Sequence, residues 1–249
     1  MQESDRRRTD SLAGSRSLTG VAYSTMLLDL DHTLFDFDAS ELAAFADALT
    51  LAGGDHPMAH FPTYQRINDA LWSAVETGEM RPGDVRTIRF HHLADEIGLD
   101  VDHATVVAMA DAFAFGLGAH GELYPGTRDV LDALAERVPL GLITNGLSEV
   151  VHARLARLDI ADHFRAVVIS QEVGVSKPKP GIFERAFELL GNPSKDSTVM
   201  VGDSLSSDIA GGANYGISTC WYNPHRAQPS ESDQITHQIS HLADLLNLI

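Results

Sequence analysis

Two aspartates, Asp29 and Asp31, stand one residue apart in the stretch LLDLDHTLFDFD, Leu27 to Asp38. Side chains alternate along a strand, so a strand carried through this stretch puts both carboxylates on one face. Like charges that close repel, and a cation between them relieves the repulsion. Further along, Thr144 and Asn145 close a second apolar run, Lys177 lies in GVSKPKP, Asp203 ends STVMVGD, and Asp208 follows in the next segment. Acids with neither cysteine nor a clear histidine set around them suit a hard cation, Mg²⁺, and an all-oxygen octahedral site serves Mn²⁺ as well. The same residue types suit phosphoryl transfer. A carboxylate can attack as a nucleophile, and a second carboxyl can protonate a leaving oxygen and later activate water. Lysine and a metal neutralise phosphoryl charge, while a threonine hydroxyl and backbone N–H groups hold the oxygens.

These groups can meet only if the elements that carry them end at one place. Five short apolar runs read as buried strands: residues 25–31, 140–146, 166–171, 197–203 and 218–222. Helical patterns lie between them. Val151, Leu155 and Leu158 recur at helical spacing, as do Phe183, Phe187 and Leu190 behind Pro180, and the segment from Ser206 to Tyr215 stops at Gly216. This alternation implies right-handed crossovers and a doubly wound parallel α/β sheet. Residues 38–120 break it with helical patterns alone, which predicts an all-helical cap inserted into a core formed by 21–37 and 121–249. In open α/β sheets ligands bind outside the carboxyl ends of the strands, and an insertion after the first strand lies over that site.

Composition narrows the partners. Of 249 residues, 44% are hydrophobic and 21% charged, as expected of a folded chain with one large core. A formal net charge of -17 argues against a nucleic acid polymer or an anionic membrane as partner. A small phosphorylated metabolite remains possible, because a metal and one lysine reverse the field locally. The single cysteine, Cys220, excludes an internal disulfide and fits a reducing compartment, so a cytoplasmic location is expected. Residues 1–20 are polar, lack the apolar segment of a secretory signal and read as a flexible tail. No apolar stretch approaches the ~20 residues of a membrane helix.

The segments DLDHT, ITNG, SKPKP and GDSLSSD resemble, in order and spacing, the four motifs of the haloacid dehalogenase-like (HAD) hydrolase superfamily, over essentially residues 25 to 249. That resemblance implies Asp29 as nucleophile, Asp31 as general acid and base, Thr144 as phosphate ligand and Lys177 as charge stabiliser. It implies Mg²⁺ bound by Asp29, the backbone carbonyl of Asp31 and Asp203, with Asp208 supporting the metal's water shell. Asn145, beside Thr144, joins it as a substrate-binding candidate. The longer segments ITNGLSEVVHARLARLDI, VISQEVGVSKPKPGIF and STCWYN are similar to the bacterial branch that acts as pyrimidine 5'-nucleotidases, which implies a nucleoside monophosphate as substrate; separately, a monomer or homodimer is expected. Other small-molecule phosphatases, of phosphoglycolate or sugar phosphates, share most of these segments. A 2-haloacid dehalogenase is a rival that Asp31 opposes, since that branch lacks an acid there. A sugar-phosphate mutase and a catalytically silent binding protein are the others.

Plainer readings exist for each residue. Thr144 can simply finish a strand, Lys177 can decorate a Pro-rich turn, and Asp208 can favour a helix's first turn. A calcium loop fails because Leu34 stands where such a loop requires glycine. His56 and His60, and His237 and His241, stand four apart without an obvious third ligand, so exposed polar histidines are expected. The cap aromatics Tyr64, Trp72, Phe90 and Phe113 are expected to form mostly the cap's own core. Arg89 is expected either to reach a phosphate or base or to be solvated.

Overall fold

The five apolar runs become short strands because most of their residues are buried on both faces, with the helices between them supplying the cover, and a sixth strand joins them at one edge. The computed structural model describes residues 22–249, so the tail expected over 1–20 lies outside the described residues. In chain order the strands are β1 (Thr25–Leu28), β2 (Leu140–Thr144), β3 (Phe164–Ile169), β4 (Thr198–Gly202), β5 (Ser218–Tyr222) and β6 (His237–Ile239). All pair in parallel, in the order β3-β2-β1-β4-β5-β6. The winding therefore runs outward in both directions from β1 and β4, and these two neighbours flank the topological switch point where such sheets bind ligands.

Between β1 and β2 lie α1 (Phe37–Leu51), α2 (Pro57–Thr77), α3 (Pro82–Ile97), α4 (His103–Ala119) and then α5 (Thr127–Ala135). The remaining helices are α6 (Ser148–Arg157), α7 (Ser170–Val173), α8 (Pro180–Leu189) and α9 (Ala210–Tyr215). Strand alternation sorts the core into two layers. Met26, Leu28, Leu140, Leu142, Val199 and Val201 pack with Leu131 and Leu134 of α5 and with Val151 and Leu155 of α6. Leu27, Ile143 and Met200 face the other way, against Ile182, Phe183 and Ala186 of α8.

Helices α1 to α4 form the inserted cap around a separate apolar cluster that includes Phe45, Tyr64, Phe90 and Phe113. Tyr64 and Phe113 ring centroids lie 5.5 Å apart. Three of the four aromatics read from the sequence are thus cap core, whereas Trp72 is only half-buried. Leu147 and Val150, at the start of α6, belong to the same cluster and tie the cap to the sheet domain.

The strand limits differ from the sequence reading in an informative way. β1 stops at Leu28 instead of reaching Asp31, because the Leu30 carbonyl accepts the N–H groups of Thr33, Leu34 and Phe35 and turns the chain. β6 escapes the pattern of apolar runs, being three residues with His237 and Gln238 off the core. The expected helix over 206–215 opens instead as a π-helical turn, Leu205–Ile209, before α9. Among the described residues no helix is long and apolar enough to cross a membrane. His237 is half-buried and shares a 2.8 Å hydrogen bond with the Tyr23 hydroxyl, so it is not the exposed histidine expected.

Gly116 sets the approach of α4 to α1. A Cβ there would stand 2.8 Å from both Cα and Cβ of Ala44. Gly116→Ala gains about 1 kcal/mol of helix propensity but forces two packed helices apart, an overpacking cost of about 1–3 kcal/mol. The net effect expected in urea unfolding is destabilisation; an unchanged or raised midpoint contradicts the close packing.

Candidate active site

The turn that ends β1 leaves its two aspartates on one cavity but gives them different partners. Asp29 N–H still bonds the Val201 carbonyl at 3.0 Å, so its backbone keeps the sheet register and its side chain leaves the sheet at the end of β1. His32, at φ +61°, adopts the left-handed conformation that bulky residues rarely take. Asp31 lies beyond the end of β1 but borders the same cavity as Asp29. Asp31 Oδ1 is paired with the Arg154 guanidinium.

Lys177 is the hub. Its side chain is 2% exposed, and Nζ donates to Asp29 Oδ1 at 2.5 Å, Asp208 Oδ1 at 2.7 Å and the Ile143 carbonyl at 2.8 Å. All three ammonium hydrogens are used. The π-helical turn brings Asp208 to this position, where Oδ2 accepts from Ser204 N–H at 3.1 Å. Gly202 makes room for it, since a Cβ there would collide with the Asp208 carboxylate. Asp203 leaves β4 beside Asp29. Thr33 Oγ1 lies 3.4 Å from Asp29 Oδ2 and 3.2 Å from Asp203 Oδ1, and accepts from Asp203 N–H at 3.1 Å.

Ligand oxygens of Asp29, Asp203 and Asp208 lie within 4.8 Å of one another, the one such group among the described residues. Burial pushes the Asp29 carboxyl up to about 7, with Lys177 pulling it down and Asp208 adding to the rise. Burial, then the Asp29 charge, pushes Asp203 up to about 6, and burial likewise raises Asp208 against the pull of Lys177. Burial acts to lower Lys177, but the charges of Asp208 and Asp29 outweigh it and raise the ammonium well above its usual range. Three carboxylates facing one ammonium leave a formal deficit of two positive charges. An oxygen-only donor set with that deficit fits a divalent hard cation, Mg²⁺ or Mn²⁺.

The remaining expected residues reach the same place. Thr144, 1% exposed, accepts the Gly146 N–H on Oγ1 at 3.2 Å. A Cβ at Gly146 would lie 3.4 Å from Thr144 Oγ1 and 3.9 Å from Asp31 Oδ2, so both atoms border one space above the loop. Asn145 spends its amide on the lysine segment, with Nδ2 donating to the Lys177 carbonyl at 3.0 Å and Oδ1 accepting Lys177 N–H at 2.8 Å. Asp29, Asp31, Thr144, Asn145, Lys177, Asp203 and Asp208 all line one cavity of about 490 Å³, closed on the cap side by residues that include Glu41, Asn68, Trp72 and Arg89. Arg89 is 2% exposed, which excludes the solvated alternative.

Arg154 was not legible in the motifs. It is wholly buried in α6, donates from Nε to the Leu117 carbonyl at 2.8 Å and from Nη2 to Ser40 Oγ at 3.4 Å, and lies 4.3 Å over the Phe35 ring. One side chain thus joins Asp31 to cap helices α1 and α4. Its signal in the sequence is a charge on the apolar face that Val150, Val151 and Leu155 define. Thr33 is the other missed contributor.

A family model described as haloacid dehalogenase-like hydrolase matches residues 23–216. The pyrimidine 5'-nucleotidase PynA of Streptococcus pneumoniae is 35% identical over 228 residues, covering 91% of this chain and 95% of its own. The pyrimidine 5'-nucleotidase YjjG of Escherichia coli is 34% identical over 235 residues, covering 92% and 99%. Among solved structures, the HAD-hydrolase YfnB of Bacillus subtilis, bound to magnesium, superposes with a TM-score of 0.82 at 30% identity, over 90% of this chain and 97% of that one.

Two outcomes are expected from this geometry. Asp29 has its carboxyl raised from 3.8 to about 7 in the folded state, so without a cation the fold binds an extra proton between those values. Stability contributed there is present at low pH and lost as pH rises through 7. Millimolar Mg²⁺ should therefore raise the thermal midpoint at pH 8 and much less at pH 5; an equal shift at both, or none, counts against the site. Arg154→Met removes the partner of Asp31, which is a quarter exposed and can be hydrated, and leaves the Leu117 carbonyl without its donor, for a cost of about 1–3 kcal/mol. Chemical unfolding should show a loss of that order; a variant as stable as the parent would refute the pairing.

Proposed function

The chain belongs to the haloacid dehalogenase-like hydrolases and is a phosphatase of that family, and on that premise we propose that it hydrolyses pyrimidine nucleoside 5'-monophosphates through an aspartyl-phosphate. The observation that carries the substrate reading is similarity to two pyrimidine 5'-nucleotidases at 34% and 35% identity along more than nine-tenths of each chain. The chemistry rests on the buried Asp29–Lys177–Asp208 group with Asp203 beside it.

In this reading the Thr144 hydroxyl and the backbone N–H groups beside it hold the phosphoryl oxygens, while Lys177, its hydrogens committed to Asp29, Asp208 and the Ile143 carbonyl, contributes its charge. A carboxylate oxygen of Asp29 attacks phosphorus in line, the bond from phosphorus to the ester oxygen breaks, and Asp31 delivers a proton to that oxygen. Asp31 then removes a proton from water, the water oxygen attacks phosphorus, and inorganic phosphate leaves with Asp29 restored. Asp29, the backbone carbonyl of Asp31 and Asp203 would hold Mg²⁺, with Asp208 supporting its water shell, and the cation would neutralise charge on the carboxylates and the phosphoryl group. Arg154 holds Asp31 at the rim, where it faces the leaving group rather than the carboxylate cluster. The cap excludes bulk water while the first step proceeds. The single cysteine, Cys220, is buried in β5, which fits the cytoplasmic location included in this reading.

Phosphate release from a panel of nucleoside monophosphates, sugar phosphates and phosphoglycolate, with Mg²⁺ and with chelator, tests the substrate. Metal-dependent release greatest on UMP, dUMP or dTMP is expected; a preference for phosphoglycolate or a sugar phosphate overturns the nucleotidase reading and keeps the phosphatase. Asp29→Asn should lower kcat by at least about 10⁴-fold with its circular dichroism intact. Near-normal turnover in that variant sinks the nucleophile assignment.

A further inference from the structure

The cap carries a buried polar chain that the phosphoryl chemistry does not use. Glu41 of α1 is 4% exposed and accepts from the Tyr64 hydroxyl at 2.9 Å and from Asn68 Nδ2 at 3.0 Å, both on Oε1. Tyr64 in turn accepts from Arg89 Nη1 at 3.3 Å, and Arg89 Nε donates to the Val85 carbonyl at 3.1 Å. The Arg89 guanidinium lies 5.0 Å over the Phe113 ring. Burial pushes the Glu41 carboxyl up to about 7 against the Tyr64 hydrogen bond and the Arg89 charge, so the chain keeps an ionisable group where an apolar core would need none.

The chain has a direction and two free ends. Asn68 gives one amide N–H to Glu41, which orients the amide, and its Oδ1 is buried without a hydrogen-bond partner among the described residues. An unpaired buried acceptor is costly unless something else pairs it. At the other end the hydrogen bonds of Arg89 use Nε and Nη1 and leave Nη2 as a donor. Asn68, Arg89 and the half-buried Trp72 line the same cavity as Asp29 and Lys177.

We infer that Asn68 and Arg89, held in place by Glu41 and Tyr64, form a subsite for the hydrogen-bonding edge of a pyrimidine ring, with the Trp72 indole available to its face. The inference rests on the nucleotidase reading and adds to it the residues that choose the base. An acceptor on Asn68 and a donor on Arg89, both at the wall of one cavity, match the N3–H and a carbonyl of uracil and thymine, and equally the amino group and N3 of cytosine. A sugar phosphate without a base leaves both ends unpaired, and a site built to hydrogen-bond its ligand discriminates against analogues that lack the partner.

The test compares kcat/KM for UMP and for ribose 5-phosphate in the parent, in Asn68→Leu and in Asn68→Ser, which is smaller and retains a hydroxyl donor for Glu41. Thermal unfolding identifies any variant that fails to fold. The ratio of UMP to ribose 5-phosphate should fall roughly tenfold to a hundredfold in a folded variant, the size of one or two lost hydrogen bonds, and mostly through KM for UMP. Equal changes on both substrates, or no change, overturn the subsite while leaving the nucleotidase reading in place. A parent enzyme with no preference for UMP over ribose 5-phosphate overturns the nucleotidase reading and this inference with it.

Discussion

The Lys177 ammonium is nearly sealed from water and makes its three hydrogen bonds to Asp29, Asp208 and the end of β2. Without it the cavity floor would hold buried carboxylates with nothing to balance them, and a buried charge stripped of its partner is among the costliest defects a fold can carry. Much of the local structure serves this contact. Asn145 grips the backbone of Lys177 from both sides, Gly202 gives up a side chain to admit Asp208, and a π-helical turn aims that carboxylate inward. Even so, one ammonium does not balance three acids. The residual negative charge makes the site attractive to a divalent cation, and in turn to an anionic phosphoryl group once that cation is in place.

A second charge, Arg154, connects this floor to the cap. Its guanidinium meets Asp31 from the core, the Leu117 carbonyl from α4 and Ser40 from α1. Arg157, one turn on, donates to the carbonyls of Gly118 and His120, at the point where the chain leaves the cap. The position of the proposed acid and the position of the cap are therefore fixed by the same helix. In a phosphatase whose cavity lies between core and cap, that arrangement couples substrate enclosure to the placement of the proton donor.

How much of this was legible in the sequence follows from which interactions are local. The sheet and its winding show in runs such as LGLITNG and STVMVGD because a strand buried on both faces is continuously apolar, and β6 is missed because His237 and Gln238 are not. Asp29, Asp31, Thr144, Asn145 and Asp203 were visible because they stand at or just past strand ends, Lys177 and Asp208 because they lie in the segments that follow two of those strands, and the cavity gathers all of them. What spacing alone could not supply is the partner of Asp31. It borders the same cavity as Asp29, but its carboxylate meets an arginine more than a hundred residues away, a contact that only the tertiary fold creates. Arg89 is a similar case, since its burial depends on Tyr64 and Phe113 from two other helices.

The central claim is that Asp29 forms a covalent bond to phosphorus, and trapping that bond tests it most directly. Rapid acid quenching during turnover of UMP, followed by borohydride reduction and peptide mass spectrometry, reads the acyl phosphate as reduction of one aspartate side chain to an alcohol. The account predicts that modification at Asp29 and at no other carboxylate, with its appearance dependent on substrate. Turnover that proceeds without it, or with the modification at Asp31, Asp203 or Asp208 instead, would contradict the account.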